Sequence, residues 1–258
     1  MQSMPRRAIA EMFGTAALVL VGPGSVVATL SLAGKAVPAV SEGDLVGIAL
    51  AHAFILMALV YAIGNISGCH INPAVTFALA ITKRFPWRDA PVYWGAQYAG
   101  AIIGAFAIWG VFGPNASTLG MGQAHLAAGA SSTLYLQAAL AEALATGFLV
   151  FAILGILDSK SPAQLAGIVI GGTLAANILV FAPVTGASLN PARAFGPELV
   201  QAIAGGTTFW AEYVPVYLVP GLIGAAAAGI LFDFLAVARP VEQPSVEAAG
   251  HEDLPGRR

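Results

Sequence analysis

The chain has 258 residues, of which 58% are hydrophobic and only 9% charged, with a net charge of −2 and a mean hydropathy of +0.80. A soluble domain carries about 25% charged residues, and a soluble chain of this length has no way to shield so much apolar surface from water. The composition is that of a chain dissolved in lipid; the near-neutral charge speaks against a nucleic-acid partner, and the single cysteine, Cys69, excludes an internal disulfide framework.

In chain order, a short basic opening from Met1 to Arg7 precedes the first apolar stretch. A signal peptide opens in this way, but this run is too long and five more follow, so it reads as a retained first span. About 20 mostly apolar residues cross a bilayer, and six segments qualify: roughly 8–30, 45–64, 90–111, 134–157, 163–183 and 210–236. Two more apolar segments, of about ten residues each, follow Asn72 and Asn190 and are too short to span. Both open with proline, which is favoured at the first helical turn because its missing N–H needs no partner there. Each reads as a helix that begins inside a loop. After Arg239 the chain turns polar and Pro-containing, and residues 237–258 are expected to form a disordered tail. The expected fold is an all-α membrane protein, with six transmembrane helices and two re-entrant half-helices in one domain over residues 1–236.

With both termini in the cytoplasm, Arg6, Arg7, Lys83, Arg84, Arg88, Lys160, Arg239, Arg257 and Arg258 face inward. Only Lys35 and Arg193 do not, so nine of the eleven Lys and Arg follow the positive-inside rule.

The chain also repeats itself. Ala10-Glu11 with Thr15 recurs as Ala141-Glu142 with Thr146, 131 residues on. Ser67-Gly68-Cys69-His70-Ile71-Asn72-Pro73-Ala74 recurs as Thr185-Gly186-Ala187-Ser188-Leu189-Asn190-Pro191-Ala192, 118 residues on. Ile102-Ile103-Gly104-Ala105 recurs as Leu222-Ile223-Gly224-Ala225, 120 residues on. Each half, approximately 8–111 and 134–236, holds three spans and one half-helix. Three is odd, so the second half enters the membrane from the opposite side and the two short helices approach each other head-on. Inverted repeats of this kind place functional sites near the midplane.

Irregular backbone survives inside a membrane only where it lines water or is buried in protein. The stretches before Asn72 and Asn190 are such backbone, and their unpaired carbonyls form a ladder of acceptors. Each half-helix aims its positive end at the centre, where each asparagine offers N–H donors. Water can turn its oxygen toward this point, whereas a cation or hydronium meets two positive helix ends. Capping of the two helices is part of the same asparagines' role.

These motifs resemble the major intrinsic protein (aquaporin) family: Asn72-Pro73-Ala74, and Asn190-Pro191-Ala192 extended through Arg193-Ala194-Phe195-Gly196-Pro197. So do Ala10-Glu11, Gly68 with His70, and Gln97 with Gly100 and Gly104, a match over roughly residues 8–236. The resemblance implies a homotetramer in a cell membrane, plasma or inner, with one pore per subunit. It further implies an outer constriction walled by His52, Ile178, Ala187 and Arg193, the arginine donating to solute and repelling cations. A charge within the membrane defaults to a functional reading, with a carboxylate ion pair as its alternative. His52 and Ile178 lie seven and five residues from the outer ends of their spans, roughly 7–11 Å deep at about 1.5 Å per residue. For His52 the alternative to lining the pore is a buried ring satisfied by a backbone carbonyl.

This quartet is similar to that of plant tonoplast intrinsic proteins and departs from the water-selective pattern, which places Phe at His52 and His at Ile178. His125 falls where ammonia-conducting members carry a histidine beside the filter arginine. It either leans on Arg193 and widens the pore or is an exposed loop residue. The implied activity is passive passage of water and other small neutral solutes, ammonia among them and urea or hydrogen peroxide as further candidates. A water-only channel, a glycerol facilitator and an inverted-repeat secondary transporter are the alternatives. The filter lacks the glycerol facilitators' aromatic pair, Ala194 stands where they carry Asp, and Glu198 and Tyr217 fit neither subgroup.

Glu11 and Glu142 occupy matching places in the two halves and are expected to accept hydrogen bonds from their own half's loop rather than to relay protons. His70 is expected to brace the first loop. No phosphate-binding glycine loop, metal-ligand cluster or activated nucleophile occurs in the sequence, so no enzyme activity, cofactor or metal is expected.

Overall fold

A computed structural model describes residues 2–34, 40–126, 131–158 and 163–236. The expected tail, with Arg239, Arg257 and Arg258, lies outside the described residues, as do Lys35 and Lys160. Six helices are long and apolar enough to cross a bilayer. They are α1 (Met4–Ala33), α2 (Glu42–Ser67), then α4 (Ala90–Phe112) after the short α3 (Pro73–Ile81), followed by a one-turn α5 (Pro114–Thr118), α6 (Ser132–Asp158) and α7 (Ala166–Thr185). After the second half-helix, α8 (Pro191–Ile203), the sixth span runs Trp210–Leu235. It is composite: α9 (Trp210–Glu212), a π-helical stretch (Tyr213–Leu218) and α10 (Val219–Leu235).

The first four expected spans lie inside the observed helices. α2 shows why they run longer than hydropathy indicates. Ser41 caps it by accepting from the Asp44 N–H at 3.3 Å while the Asp44 carboxylate accepts from the Ser41 N–H at 2.9 Å, and Gly68 ends it at φ 90°. Polar capping boxes and left-handed glycines lengthen a helix beyond its apolar core.

The long helices pair as an inverted repeat demands. α1 packs on α2 and α4, α6 packs in the same way on α7 and α10, and α2 meets α7 between the halves. Ion pairs from Arg7 to Asp89 at 3.2 Å and from Arg84 to Asp233 at 2.7 Å hold the start of α1 and the end of α10 beside the Lys83–Asp89 turn. The start of α1 and the end of α10 therefore share one face, here the terminal face. α3 runs from the molecular centre to that face and α8 to the opposite one.

Close helix crossings correct the third repeat. A Cβ on Gly100 would lie 2.2 Å from the Met12 carbonyl oxygen, and one on Gly224 would lie 1.9 Å from that of Ala143. Met12 and Ala143 stand 131 residues apart, as Glu11 and Glu142 do, so Gly224 is the partner of Gly100 and not of Gly104. The true spacing is 124 residues, one helical turn from the apparent 120; a four-residue slip keeps nearly the same helix face, which is why small-residue matching tolerates the wrong register. Gly224→Val is expected to lower the unfolding midpoint of detergent-solubilised protein by the equivalent of about 3 kcal/mol, because backbone blocks the added atoms. Gly95→Ala, with no heavy atom within 4 Å of its added Cβ, should leave the midpoint unchanged. Equal midpoints for the two variants would contradict the crossing geometry.

Candidate functional site

The two re-entrant loops are built alike. In the first, Gly68, Cys69 and Ile71 take positive φ of 90°, 52° and 40°; in the second, Gly186, Ala187 and Leu189 take 74°, 44° and 54°. A left-handed non-glycine residue costs of order 1–3 kcal/mol and persists only where its surroundings impose it. Buried carboxylates impose it here. Glu11 accepts from Ser67 Oγ (2.7 Å), His70 N (2.9 Å), Ile71 N (2.6 Å) and Gln97 Nε2 (2.8 Å). Glu142 accepts from Thr185 Oγ1 (2.7 Å), Ser188 N (2.8 Å) and Leu189 N (2.8 Å). Tyr93 and Tyr217, again 124 residues apart, donate to the Ser67 and Thr185 carbonyls at 2.7 and 2.8 Å. His70 contacts Thr76 Oγ1 through Nδ1 at 3.1 Å.

The carboxylates take the N–H groups of His70, Ile71, Ser188 and Leu189. Among the described residues, the carbonyls of Gly68, Cys69 and His70 accept no protein hydrogen bond, nor do those of Gly186, Ala187 and Ser188. Next in sequence, each asparagine caps its half-helix: Asn72 Oδ1 accepts from Ala74 N at 2.9 Å, and Asn190 Oδ1 from Ala192 N at 3.0 Å and Arg193 N at 3.3 Å. Each amide nitrogen then crosses to the other half. Asn72 Nδ2 donates to the Leu189 carbonyl and Asn190 Nδ2 to the Ile71 carbonyl, both at 2.8 Å. Each amide keeps a second N–H.

A cavity of about 520 Å³ runs along these loops. Tyr61, Arg84 and Leu157 line it toward the terminal face, Asn72 and Asn190 line its middle, and His52 and Arg193 line its far part. Leu18, Leu56, Val75, Leu149, Ile153 and Leu174 supply apolar wall. His52 Nδ1 pairs with the Ile48 carbonyl at 2.9 Å, while Nε2 has no protein partner. Both sequence alternatives for this ring thus describe part of its environment. Arg193 is 4% exposed, makes no ion pair among the described residues, and leaves Nε and Nη1 unpartnered. Glu198, the carboxylate that could have paired with it, instead accepts from Gln123 Nε2 at 2.5 Å and from the Phe209 N–H.

Two of the four expected filter residues, His52 and Arg193, thus share the cavity wall. Ile178 and Ala187, each 2% exposed, pack in the apolar cluster beside it. His125 is not brought to Arg193 by any hydrogen bond: its Nδ1 meets the Leu126 carbonyl at 2.9 Å and its ring stacks on Phe209, beside a separate cavity of about 660 Å³. Sequence reading missed Tyr93 and Glu212. The 124-residue spacing pairs Tyr93 with Tyr217; no sequence signal marks Glu212.

The family model described as Major intrinsic protein matches residues 1–232. The chain belongs to the major intrinsic protein family. It is 42% identical over 247 residues to Aquaporin AqpM of Methanothermobacter marburgensis, covering 91% of this chain and 99% of that one. It is 35% identical over 231 residues to Aquaporin NIP1-1 of Zea mays, covering 89% and 74%. Among solved structures, the aquaglyceroporin from Plasmodium falciparum superposes with a TM-score of 0.78 at 26% identity, over 90% of this chain and 96% of that one. The protein is an integral membrane channel of this family and not an enzyme.

The loop geometry makes the carboxylates separable from the pore. Glu142→Leu strips acceptors from two backbone N–H groups and one hydroxyl, at about 1–3 kcal/mol for each buried group left unmade. Thermal unfolding in detergent should therefore show a large loss of stability. Glu142→Gln, which keeps one acceptor oxygen, should show a smaller one. A fully stable Glu142→Leu would contradict the assigned role.

Proposed function

We propose that the chain conducts water and small neutral solutes passively, ammonia among them, and refuses protons and ions. The observation that carries this reading is a set of buried polar groups without protein partners on one cavity wall: the donors Arg193 Nε and Nη1, beside His52 Nε2, an acceptor in the neutral ring because Nδ1–H donates to the Ile48 carbonyl. A buried polar group left unpaired costs about 1–3 kcal/mol, and a small polar molecule in the cavity removes that cost. The asparagine amides continue the donor path toward the centre and the loop carbonyls supply acceptors, so a neutral solute exchanges partners step by step. A cation meets the ends of α3 and α8, each worth roughly half a positive charge, together with Arg193.

On this reading His52, Ile178, Ala187 and Arg193 form the narrowest part, with an imidazole and two small or apolar walls rather than an aromatic clamp. Such an opening suits ammonia, urea or hydrogen peroxide beside water. His125 bounds its approach. Residues 1–236 act as a single channel domain ahead of the 237–258 tail, in a homotetramer with both termini cytoplasmic, in a plasma or inner membrane. The aquaporin relatives support water as a solute, and the basic residues around the Lys83–Arg88 turn support the orientation.

Proteoliposomes test the reading. Stopped-flow shrinkage and ammonia-driven internal alkalinisation should both exceed those of empty liposomes, while a valinomycin-clamped proton gradient decays no faster. Arg193→Ala, by deleting the charged wall, should raise urea permeability relative to water. Ammonia flux at the empty-liposome level beside normal water flux would remove ammonia from the solute set. Water flux at that level would overturn the channel reading for water.

A further inference from the structure

Two buried carboxylates have no place in the passage itself. Glu198 lies on α8 and Glu212 at the head of the sixth span, at 4% and 7% exposure. Both end on the same short segment, Gln123–Leu126. Gln123 Nε2 donates to Glu198 Oε2 at 2.5 Å, and the Leu126 N–H donates to Glu212 Oε2 at 2.9 Å. Between these tethers the His125 ring stacks on Phe209, with centroids 4.7 Å apart and planes 22° from parallel. The Phe209 N–H is itself bound to Glu198.

The segment is pinned against the second re-entrant loop. A Cβ added to Gly186 would lie 3.0 Å from Ala124 Cα and 3.3 Å from His125 N, so the two backbones touch one residue before Ala187. Tyr217, five residues on from Glu212, holds the same loop: its hydroxyl donates to the Thr185 carbonyl at 2.8 Å. In an α-helix, residues five apart point about 140° away from each other. The π-helical stretch Tyr213–Leu218 widens the turn, so that Glu212 and Tyr217 share a face. Single π turns of this kind cluster at functional sites.

We propose that Glu212, together with Glu198, is a positioning residue for solute selectivity: it clamps Gln123–Leu126 onto Gly186 and so sets how far the Ala187 backbone stands from Arg193. Neither carboxylate touches solute. The proposal rests on the filter reading given above. An acceptor oxygen at position 212, rather than its charge, is what the Leu126 N–H needs.

The test compares urea and water permeabilities of the full-length protein in proteoliposomes. Glu212→Ala frees the segment and should raise the urea-to-water ratio by roughly fivefold, the equivalent of one hydrogen bond's net contribution. Glu212→Gln keeps the acceptor and should restore the native ratio, a rescue that a purely structural role in folding does not produce. An unchanged ratio in Glu212→Ala, or a proportional fall of both permeabilities, overturns the proposal. Should Glu212→Ala fail to insert, Gln123→Ala removes the other tether and leaves both carboxylates; an unchanged ratio there overturns it equally. Arg193→Ala separates the two ideas. If it shifts the ratio while the tether variants do not, only the clamp is lost; if none shifts it, the filter reading falls first.

Discussion

The architecture hangs on two reciprocal hydrogen bonds at its centre. Asn72 donates across to the Leu189 carbonyl and Asn190 to the Ile71 carbonyl, each at 2.8 Å. Each amide has already spent its oxygen on its own half-helix, so its nitrogen is the only group that can reach the other half. The bonds therefore set three things together: the distance between the half-helices, the direction of the remaining N–H groups, and the position of the carbonyl ladders. Neither half forms this centre alone, which is the physical content of the inverted repeat.

The crossing is possible because the loops are already strained into shape. Left-handed residues such as Ile71 and Leu189 persist because Glu11 and Glu142 collect the N–H groups that this backbone exposes. A buried carboxylate is costly without partners, and here each has several. The halves are not identical in this respect. Gln97 adds a donor to Glu11 and links it to Thr76 at 2.9 Å, whereas the matching position in the second half is Gly221. The second loop instead has Gly186 under the Gln123–Leu126 segment and Tyr217 beneath Thr185. The two re-entrant loops are thus braced differently, and the second is the one followed by Arg193.

Much of this was legible in the sequence because membrane constraints are severe. Apolar run length exposed all six spans, and Asn-Pro at the head of a run too short to cross the bilayer exposed both half-helices. The matching of Glu11 with Glu142 pointed to their bonds with the loops, since two carboxylates in lipid need donors and only irregular backbone offers them. Helix ends were misjudged where capping, not hydropathy, decides them, as at Ser41. The register of Gly100 and Gly224 was obscured because small residues recur every turn in close-packed helices. The role of Glu212 was illegible because its partner, the Leu126 N–H, is backbone and lies 86 residues away. The π-helical stretch Tyr213–Leu218 has one sequence mark, Pro215, whose missing N–H signals a break in the helical ladder without saying that a π turn takes it up.

A high-resolution density map of the protein in lipid nanodiscs tests the central claim most directly. The account requires both asparagine amides at about 2.8 Å from the opposite loops' carbonyls, with ordered water in continuous single file from the His52 and Arg193 wall past the amides to Arg84. Amides turned away from the opposite loops, or a dry break filled by side chains between Asn72 and Asn190, would contradict it.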